Sequence, residues 1–126
     1  MQDRGYGRIV SISSEAGRVG SKGSAVYSAA KGGVISFMKV IARENARYGI
    51  TANSIAPGPI ETPLLMQAAE MGEIGNKLIE TMKNATQMRR LGTPDEVASA
   101  VTFLAAEESS FVTGETLGVS GGLGMV

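Results

Sequence analysis

The chain has 126 residues, 43% of them hydrophobic, so it is long enough for one domain and apolar enough to supply a core. Twelve basic and twelve acidic residues give a formal net charge of zero, so neither nucleic acid nor an anionic membrane is expected as a partner. The chain contains no cysteine and no histidine, so disulfides, thiol nucleophiles and histidine general bases are excluded, and no metal site is expected.

The start of the chain has no pattern of a secretory signal. Met1 is followed by Gln2, Asp3 and Arg4, and no apolar stretch comes after them. No segment is expected to approach membrane-spanning length. The cytoplasm is therefore the expected location.

The first predicted elements are a short strand and a long helix. Residues 8–13, RIVSIS, are rich in β-branched side chains and predict a strand, which a glycine loop over residues 17–23 ends. Apolar residues then recur at three- and four-residue spacing, which predicts an amphipathic helix over 25–48 with Gly49 as its C-terminal stop. The positions of this helix that are expected to be buried are Val34, Phe37, Met38, Ile41 and Ala42.

A second strand and two short helices are predicted next. Residues 50–56, ITANSIA, indicate a strand, which the turn residues at 57–59 close. Residues 64–90 have apolar side chains at helical spacing, interrupted around Gly72 and Gly75. This segment is therefore interpreted as two short helices.

A last helix and a last strand complete the prediction. The Thr93 hydroxyl can cap the backbone N–H of Glu96, whose carboxylate reaches back, and Pro94 stands where no N–H is needed. Residues 116–120, TLGVS, predict a third strand. The buried stripe expected for the helix consists of Val97, Val101, Leu104 and Ala105.

The order of these elements predicts the fold class. Strand, helix, strand, helices and strand imply parallel pairing with right-handed crossovers, hence an open α/β sheet of three parallel strands. The sequence has no internal repeat and no linker composition. Residues 1–126 are therefore expected to form a single unit.

Three side chains could carry chemistry at the carboxyl edge of this sheet, where open α/β folds bind ligands. Tyr27 and Lys31 are four residues apart on the predicted helix, so they share a face and can approach one ligand. A nearby ammonium group favours the phenolate, which suits a tyrosine for proton transfer near neutral pH. Ser14 lies at the exit of the first strand and could hold a substrate oxygen. Together the three groups suit hydride chemistry at a carbonyl or an alcohol.

Each of these residues also has a purely structural interpretation. A Tyr-x-x-x-Lys pair is common on solvated helices, and a serine after a strand is usually a turn residue or a helix cap. The three residues therefore indicate catalysis only as part of a wider pattern.

Four stretches supply that wider pattern: GRIVSISSEAG at 7–17, YSAAKGG at 27–33, NSIAPGPIETP at 53–63 and RLGTPDEVASAVTFLAAEESSFVTGETLGVSGG at 90–122. In this order they resemble the successive C-terminal motifs of the short-chain dehydrogenase/reductase family. Within the family they are most similar to the 3-oxoacyl-thioester reductase and hydroxyacyl-CoA dehydrogenase branch. The resemblance implies a Rossmann-like, doubly wound parallel sheet, of which residues 1–126 would form the C-terminal half.

The same resemblance implies roles for individual residues. Ser14 would orient the substrate oxygen, Tyr27 would donate or accept the proton, and Lys31 would bind the nicotinamide ribose and assist Tyr27, so that both contact the cofactor. The cofactor would be NAD or NADP, the substrate a keto or hydroxy compound of the acyl-thioester type, and the protein a homo-oligomer, either dimer or tetramer. The residues expected at the carboxamide end of the nicotinamide are Pro57, Gly58, Ile60 and Thr62.

The chain departs from the family pattern in its length and in its glycine motifs. Chains of the family are roughly twice as long, and their first half carries a Gly-rich turn that seats the cofactor pyrophosphate on a helix N-terminus. No glycine cluster in this sequence has the strand-turn-helix context of such a turn. Two hypotheses follow: an NAD(P)-dependent oxidoreductase, or a catalytically inactive fragment that self-associates or pairs with a complementary half.

The methionine-rich segment 64–88 resembles the family's mobile substrate lid. Ordinary filling of a core is an equally good interpretation of any single methionine in it.

Overall fold

The structure is a computed structural model that describes all residues from 1 to 126. Its three strands are β1 (Gly7–Ile12), β2 (Ile50–Pro57) and β3 (Thr116–Val119). They form one sheet in the order β1-β2-β3, and both strand pairs are parallel. The open α/β sheet of three parallel strands that was predicted from the element order is confirmed.

Helices make both crossovers of the sheet. The helices between β1 and β2 are α1 (Glu15–Val19) and α2 (Ala25–Asn45), and those between β2 and β3 are α3 (Pro63–Met66), α4 (Glu73–Ala85) and α5 (Pro94–Ala105). Short 3-10 segments are formed by Gln2–Arg4, Ala46–Tyr48, Gln67–Met71 and Glu107–Ser109.

The central strand β2 is buried along almost its whole length. Ala52 is fully buried and packs in one cluster with Met38 and Ala42 of α2. Asn53 is also fully buried, and its amide is satisfied on both sides. Its Nδ2 donates to the carbonyl of Val112 at 2.8 Å, and its Oδ1 accepts from the backbone N–H of Glu115 at 3.0 Å. These two bonds fasten β2 to the segment that leads into β3.

The buried face of α2 differs by one position from the predicted face. Ile35, Met38 and Ala42 are buried, whereas the side chain of Phe37 is 61% exposed. Phe37 precedes Met38 by one residue, which turns it about 100° around the helix axis and away from the sheet. The expectation that Phe37 belongs to the core is therefore wrong.

One segment does reach membrane-spanning length, so the expectation that none would is wrong. This segment is the helical stretch Ala25–Tyr48. Its 24 residues are long and apolar enough to cross a membrane by length and composition. A single helix of this kind is weak evidence for a membrane span, because core helices of other folds pass the same test. In the structure, α2 packs with one face on β2.

The glycine-rich segment after β1 begins with a helix, where a loop had been predicted. Ser14 caps α1, and Gly20 ends it with φ 79°. The prediction of a loop through residues 17–23 is therefore wrong at Gly17, which lies inside α1. The serine cap and the acidic residue in the first turn outweigh the glycine content over this one short helix.

The segments α3, Gln67–Met71 and α4 pack mainly on one another, whereas α5 packs on the sheet. Gly72 separates the 3-10 segment Gln67–Met71 from α4 with φ 75°, so the predicted break is found there. Gly75 lies within α4, against the prediction. It is buried, and a Cβ at this position would overlap the carbonyl oxygen of Ala68. Gly75 is therefore a close-packing residue, not a helix breaker.

The predicted start of α5 is confirmed in detail. The Thr93 hydroxyl accepts from the N–H of Glu96 at 3.3 Å, and a Glu96 carboxylate oxygen accepts from the N–H of Thr93 at 2.9 Å. Arg90 donates two hydrogen bonds to the same carboxylate, from Nη2 to Oε1 at 2.6 Å and from Nη1 to Oε2 at 2.9 Å. Leu104 is buried as predicted, but Ala105 is exposed because it lies at the C-terminal end of the helix.

Arg8 joins the start of the sheet to the end of α5. Its Nε donates to the carbonyl of Ala106 at 3.2 Å and its Nη2 to that of Glu107 at 3.3 Å. Its guanidinium group also lies over the ring of Tyr6, 4.6 Å from the ring centroid. The side chain thus ties β1 to residues 98 and 99 positions later in the chain.

Glu96→Gln tests the charge at the start of α5. Hydrogen bonds from Arg90, and then from Thr93, lower the pKa of Glu96 from 4.5 to about 2. The ionised Glu96 carboxylate therefore stabilises the fold at pH values above its ordinary pKa of 4.5. This stabilisation is lost as the pH falls towards 2. In urea unfolding at a series of pH values, Glu96→Gln should be less stable than the wild type at neutral pH, and the difference should vanish in acid.

The matched control is Glu80→Gln. Glu80 pairs with Lys83 on the surface of α4 and caps no helix. It should change stability little at any pH. A loss in Glu96→Gln that is equal at all pH values would contradict the electrostatic explanation.

Candidate active site

The residues predicted to act together line one cleft at the carboxyl edge of the sheet. The cleft opens where β1 and β2 end, beside the first two turns of α2 and the start of α5. All seven predicted site residues contribute to its wall: Ser14, Tyr27, Lys31, Pro57, Gly58, Ile60 and Thr62. The other residues of the wall are Ile12, Ser13, Pro94 and Val97.

Lys31 is held in the cleft through both its side chain and its backbone. Its Nζ donates to the carbonyl of Ile12 at 3.2 Å and lies 5.9 Å from the centroid of the Tyr27 ring. Its carbonyl accepts from the hydroxyl of Ser13 at 2.7 Å. The end of β1 thereby fixes the position of α2 at Lys31.

Tyr27 faces solvent on the first turn of α2. Its side chain is 51% exposed, so the phenol is open to a ligand that enters the cleft. The four-residue spacing to Lys31 places both groups on the same side of the helix, as predicted.

Ser14 has a structural function in addition to its place in the cleft. Its Oγ accepts from the backbone N–H of Ala16 at 3.2 Å and so caps α1. The hydroxyl hydrogen is not used by this bond, since the oxygen is the acceptor. Ser14 can therefore cap the helix and donate to a substrate oxygen at the same time.

The second loop of the cleft is shaped by packing. Gly58 packs against Ser120, the residue that follows β3. A Cβ on Gly58 would lie 2.9 Å from the Cα of Ser120. Ile60 forms a parallel bridge with Gly92, and the Thr62 hydroxyl caps α3 by accepting from Leu65 at 3.2 Å. These contacts give the loop a defined shape next to Tyr27 and Lys31.

Two glycines set the distance between α1 and α2. A Cβ on Gly17 would lie 2.6 Å from the carbonyl carbon of Lys31 and 2.7 Å from the nitrogen of Gly32. A Cβ on Gly32 would lie 3.2 Å from the carbonyl oxygen of Gly17. The backbones therefore touch beside Lys31, and this contact fixes the position of Ser14 relative to Lys31.

Ser13 and Gly17 position the site, although neither was predicted to do so from the sequence. Ser13 was interpreted as the end of a strand and Gly17 as part of a loop. The signal available for Ser13 was the pair of adjacent serines directly after a strand, because alternating side chains put one of them on the helix side.

The cleft contains groups that could hold one end of a dinucleotide cofactor. Lys31 offers a cation beside an aromatic hydroxyl, and the loop over residues 57–62 offers a close-packed wall opposite. No strand of the chain is followed by a G-x-G-x-x-G turn into a helix. Residues 1–126 thus carry no turn of this kind for a pyrophosphate.

The three parallel strands and their crossover helices define the class of the chain as an open α/β fold that is consistent with half of a Rossmann-like sheet. The family model described as "Enoyl-(Acyl carrier protein) reductase" matches residues 1–124. The chain belongs to the short-chain dehydrogenase/reductase family.

Individual relatives are similar over almost the whole chain. Nodulation protein G of Azospirillum brasilense is 46% identical over 123 residues, covering 98% of this chain and 48% of the relative. The acetoacetyl-CoA reductase of Allochromatium vinosum is 44% identical over 125 residues, and the 3-oxoacyl-[acyl-carrier-protein] reductase FabG of Vibrio cholerae is 43% identical over 130. They cover 99% and 100% of this chain, and 48% and 49% of the two relatives.

A solved structure described as ElxO with NADP bound has the same fold. It superposes with a TM-score of 0.90 at 37% sequence identity, over 98% of this chain and 48% of that one. The chain thus spans about half the length of the relatives that it matches.

Gly17→Ala tests the contact that positions Ser14. The added methyl group would push α1 away from α2, so we expect a loss of about 1–3 kcal/mol in the free energy of unfolding. Urea denaturation of the purified chain measures this loss. The matched control is Gly33→Ala, inside α2, where a Cβ meets nothing within 4 Å. It should stabilise the chain by about 0.5–1 kcal/mol through helix propensity. Equal effects of the two substitutions would refute a close contact at Gly17.

Proposed function

We propose that this chain supplies the catalytic half of an NAD(P)-dependent reductase that acts on a keto or hydroxy acyl thioester. The observation that carries the proposal is the cleft in which Ser14, Tyr27 and Lys31 meet the loop over residues 57–62. The names of two relatives, acetoacetyl-CoA reductase and 3-oxoacyl-[acyl-carrier-protein] reductase, support the acyl-thioester class of substrate. The homology covers half of those proteins, so the activity is proposed for the residues of this half.

In the proposed reaction the three side chains divide the work at the substrate oxygen. Ser14 donates a hydrogen bond to the carbonyl oxygen and orients it. Tyr27 transfers its phenolic proton to the same oxygen as the carbonyl is reduced, and takes the proton back in the reverse direction. Lys31 stabilises the phenolate by its charge, while its bond to Ile12 and the bond from Ser13 keep it on this side of the cleft.

The cofactor is proposed to bind with its nicotinamide end in this cleft. NADPH or NADH, when bound, supplies the hydride for the carbonyl carbon. Lys31 and Tyr27 would hold the nicotinamide ribose, and Pro57, Gly58, Ile60 and Thr62 would contact the carboxamide end. The NADP in the similar solved structure supports a dinucleotide of this class.

Residues 1–126 are proposed to be the C-terminal half of a Rossmann-like domain, so the pyrophosphate and adenosine would be bound by residues outside this range. The cytoplasm is the proposed location, because the cysteine-free composition needs no oxidising compartment and α2 packs on the sheet.

Tyr27→Phe tests the proton transfer. The substitution removes the hydroxyl and little volume from a half-exposed side chain. In a full-length form of the protein, turnover of acetoacetyl-CoA with NADPH should therefore fall by at least about a hundredfold, while cofactor affinity and stability stay nearly unchanged. Tyr48→Phe is the matched control, since Tyr48 lies after α2 and its hydroxyl contacts Arg47. NADPH oxidation, followed by absorbance, measures both variants.

Titration of the purified chain with NADH and NADPH by calorimetry tests the cofactor proposal directly. Binding that weakens in Lys31→Ala is the expected result. A wild-type chain that binds neither nucleotide at millimolar concentration would contradict the oxidoreductase proposal for this chain and favour the second candidate.

The second candidate function is association with another copy or with a complementary half. An exposed apolar stripe on α2 favours it, and we call it the α2 stripe. Its members recur at four- and three-residue spacing, as in helices that pack side by side. The stripe consists of Val26, Ala30, Gly33, Phe37 and Val40, all of them exposed.

The double substitution Phe37→Ser and Val40→Ser tests the α2 stripe. The wild-type chain should sediment as a dimer or tetramer, and the double variant should shift towards monomer, because about 25 cal/mol is lost for each Å² of apolar surface no longer buried. Phe111→Ser is the control, because Phe111 is fully exposed and lies outside α2. Analytical ultracentrifugation measures the association state of the wild type and of both variants. A wild-type chain that stays monomeric at high concentration would contradict this candidate function.

A further inference from the structure

Beside Ser14 the structure buries a charged residue that the proposed reaction does not use. The side chain of Glu15 is only 2% exposed. Its Oε1 accepts from Nη1 of Arg18 at 2.9 Å, one turn later on α1. Its Oε2 is buried and has no hydrogen-bond partner. A carboxylate in such a place needs an explanation.

Two distant glycines make room for the Glu15 carboxylate. Gly118 of β3 lies on one side, where a Cβ would overlap Nη1 of Arg18 and stand 2.7 Å from Oε1 of Glu15. Gly124 lies on another side, where a Cβ would overlap Oε2. Neither glycine has a positive φ, so space and not backbone conformation requires glycine at these positions. The carboxylate therefore fills a slot between β3 and the segment after it.

Arg18 connects the same slot to the last residue of the chain. Its Nη2 donates to the backbone oxygen of Val126 at 2.5 Å, while its Nη1 binds Glu15. One planar guanidinium group thus joins α1 to the segment 120–126, which we call the C-terminal strap. A lysine could not make both contacts with the same fixed geometry.

The pair is a poor source of stability. Burial raises the pKa of Glu15 above 4.5 although the charge and hydrogen bond of Arg18 act in the opposite direction. Buried ion pairs of this kind are often replaced by apolar side chains without loss of stability. What the pair does provide is an anchor for α1, whose five residues are too few to hold a helix by themselves.

The position of Ser14 depends on that anchor. Its Oγ is bonded to the N–H of Ala16 at 3.2 Å and its carbonyl to the N–H of Gly17 at 2.9 Å, so Ser14 moves with the first turn of α1. On one side Gly17 presses this turn on α2, and on the other side Glu15 and Arg18 fix it to β3 and the C-terminal strap.

We propose that Glu15 and Arg18 are positioning residues, which lock the first turn of α1 onto Gly118 and the C-terminal strap and so aim the Ser14 hydroxyl into the cleft. The structural part of this inference stands on the contacts alone, and its catalytic part rests on the proposed function. The C-terminal strap is then a component of the site although it contributes no residue to the wall of the cleft.

The experiment replaces the pair by apolar side chains in the double variant Glu15→Met, Arg18→Met. This leaves no unpaired charge, so the midpoint of urea unfolding should stay unchanged. Amide hydrogen exchange at Ala16 and Gly17 should become at least about tenfold faster, while exchange at Gly114, which bonds to Ala52 in the sheet, stays the same. Glu80→Met, Lys83→Met is the control, since this surface pair has the same spacing.

Unchanged exchange at Ala16 and Gly17 in the Glu15→Met, Arg18→Met variant would overturn the proposal. If that variant does not fold, Arg18→Lys gives the same readout, because it keeps the charge opposite Glu15 and loses the fork that also reaches Val126. Faster exchange at Ala16 is again expected, and unchanged exchange in a folded Arg18→Lys chain overturns the proposal.

The catalytic part is read from the kinetics of acetoacetyl-CoA reduction. In the Glu15→Met, Arg18→Met variant, kcat should fall about tenfold. The KM for NADPH should stay unchanged, because Lys31 is not disturbed. A wild-type chain without turnover would count against the proposed function, and the exchange data would still decide the role of Glu15 in the position of Ser14. A changed KM for NADPH with an unchanged kcat would overturn the catalytic part.

Discussion

The burial of β2 along almost its whole length is the constraint on which the rest of the structure depends. A strand covered on both faces must have small or apolar side chains towards its helices and must satisfy every backbone group within the sheet. Ala52 meets the first demand by letting Met38 and Ala42 approach, and the parallel ladders to β1 and β3 meet the second. The buried Asn53 side chain in turn satisfies backbone groups of the segment that leads to β3. With β2 fixed in this way, the ends of β1 and β2 open at one edge, and the cleft lies there.

The residues of the cleft have structural functions beside the chemical roles that we propose for them. Ser14 caps a helix, Thr62 caps another, and Gly58 is needed for packing on Ser120. A structural role for each residue does not weaken the catalytic proposal, because side chains held by caps and close contacts keep the geometry that a reaction requires. Holding these side chains in helix caps costs little free energy, because their oxygens would need a hydrogen-bond partner in any case.

The sequence predicted the local elements well and the contacts between distant segments poorly. The strands, α2 and the capping box of α5 were predicted because each rests on residues that are neighbours in the chain, such as Thr93 and Glu96. The seven residues of the cleft were also named in advance, from motifs, and their chemical roles stay predictions. Phe37 and Ile35 could not be separated, because both fit a helical spacing and only the position of the sheet decides between them. The burial of Glu15 could not be foreseen, since the glycines that admit its carboxylate, Gly118 and Gly124, lie more than a hundred positions later.

The contacts of Arg8 also have a consequence for synthesis of the chain. Within residues 1–126, β1 is made before the segments that it contacts, because its arginine bonds to carbonyls 98 and 99 residues later and its sheet partner β2 begins at Ile50. When synthesis has reached only the end of β2, β1 and β2 can pair. The bonds of Arg8 to the two residues that follow α5 cannot yet form. Contacts between segments so far apart in the chain form slowly, so the bonds of Arg8 to Ala106 and Glu107 are completed only after α5 has been made.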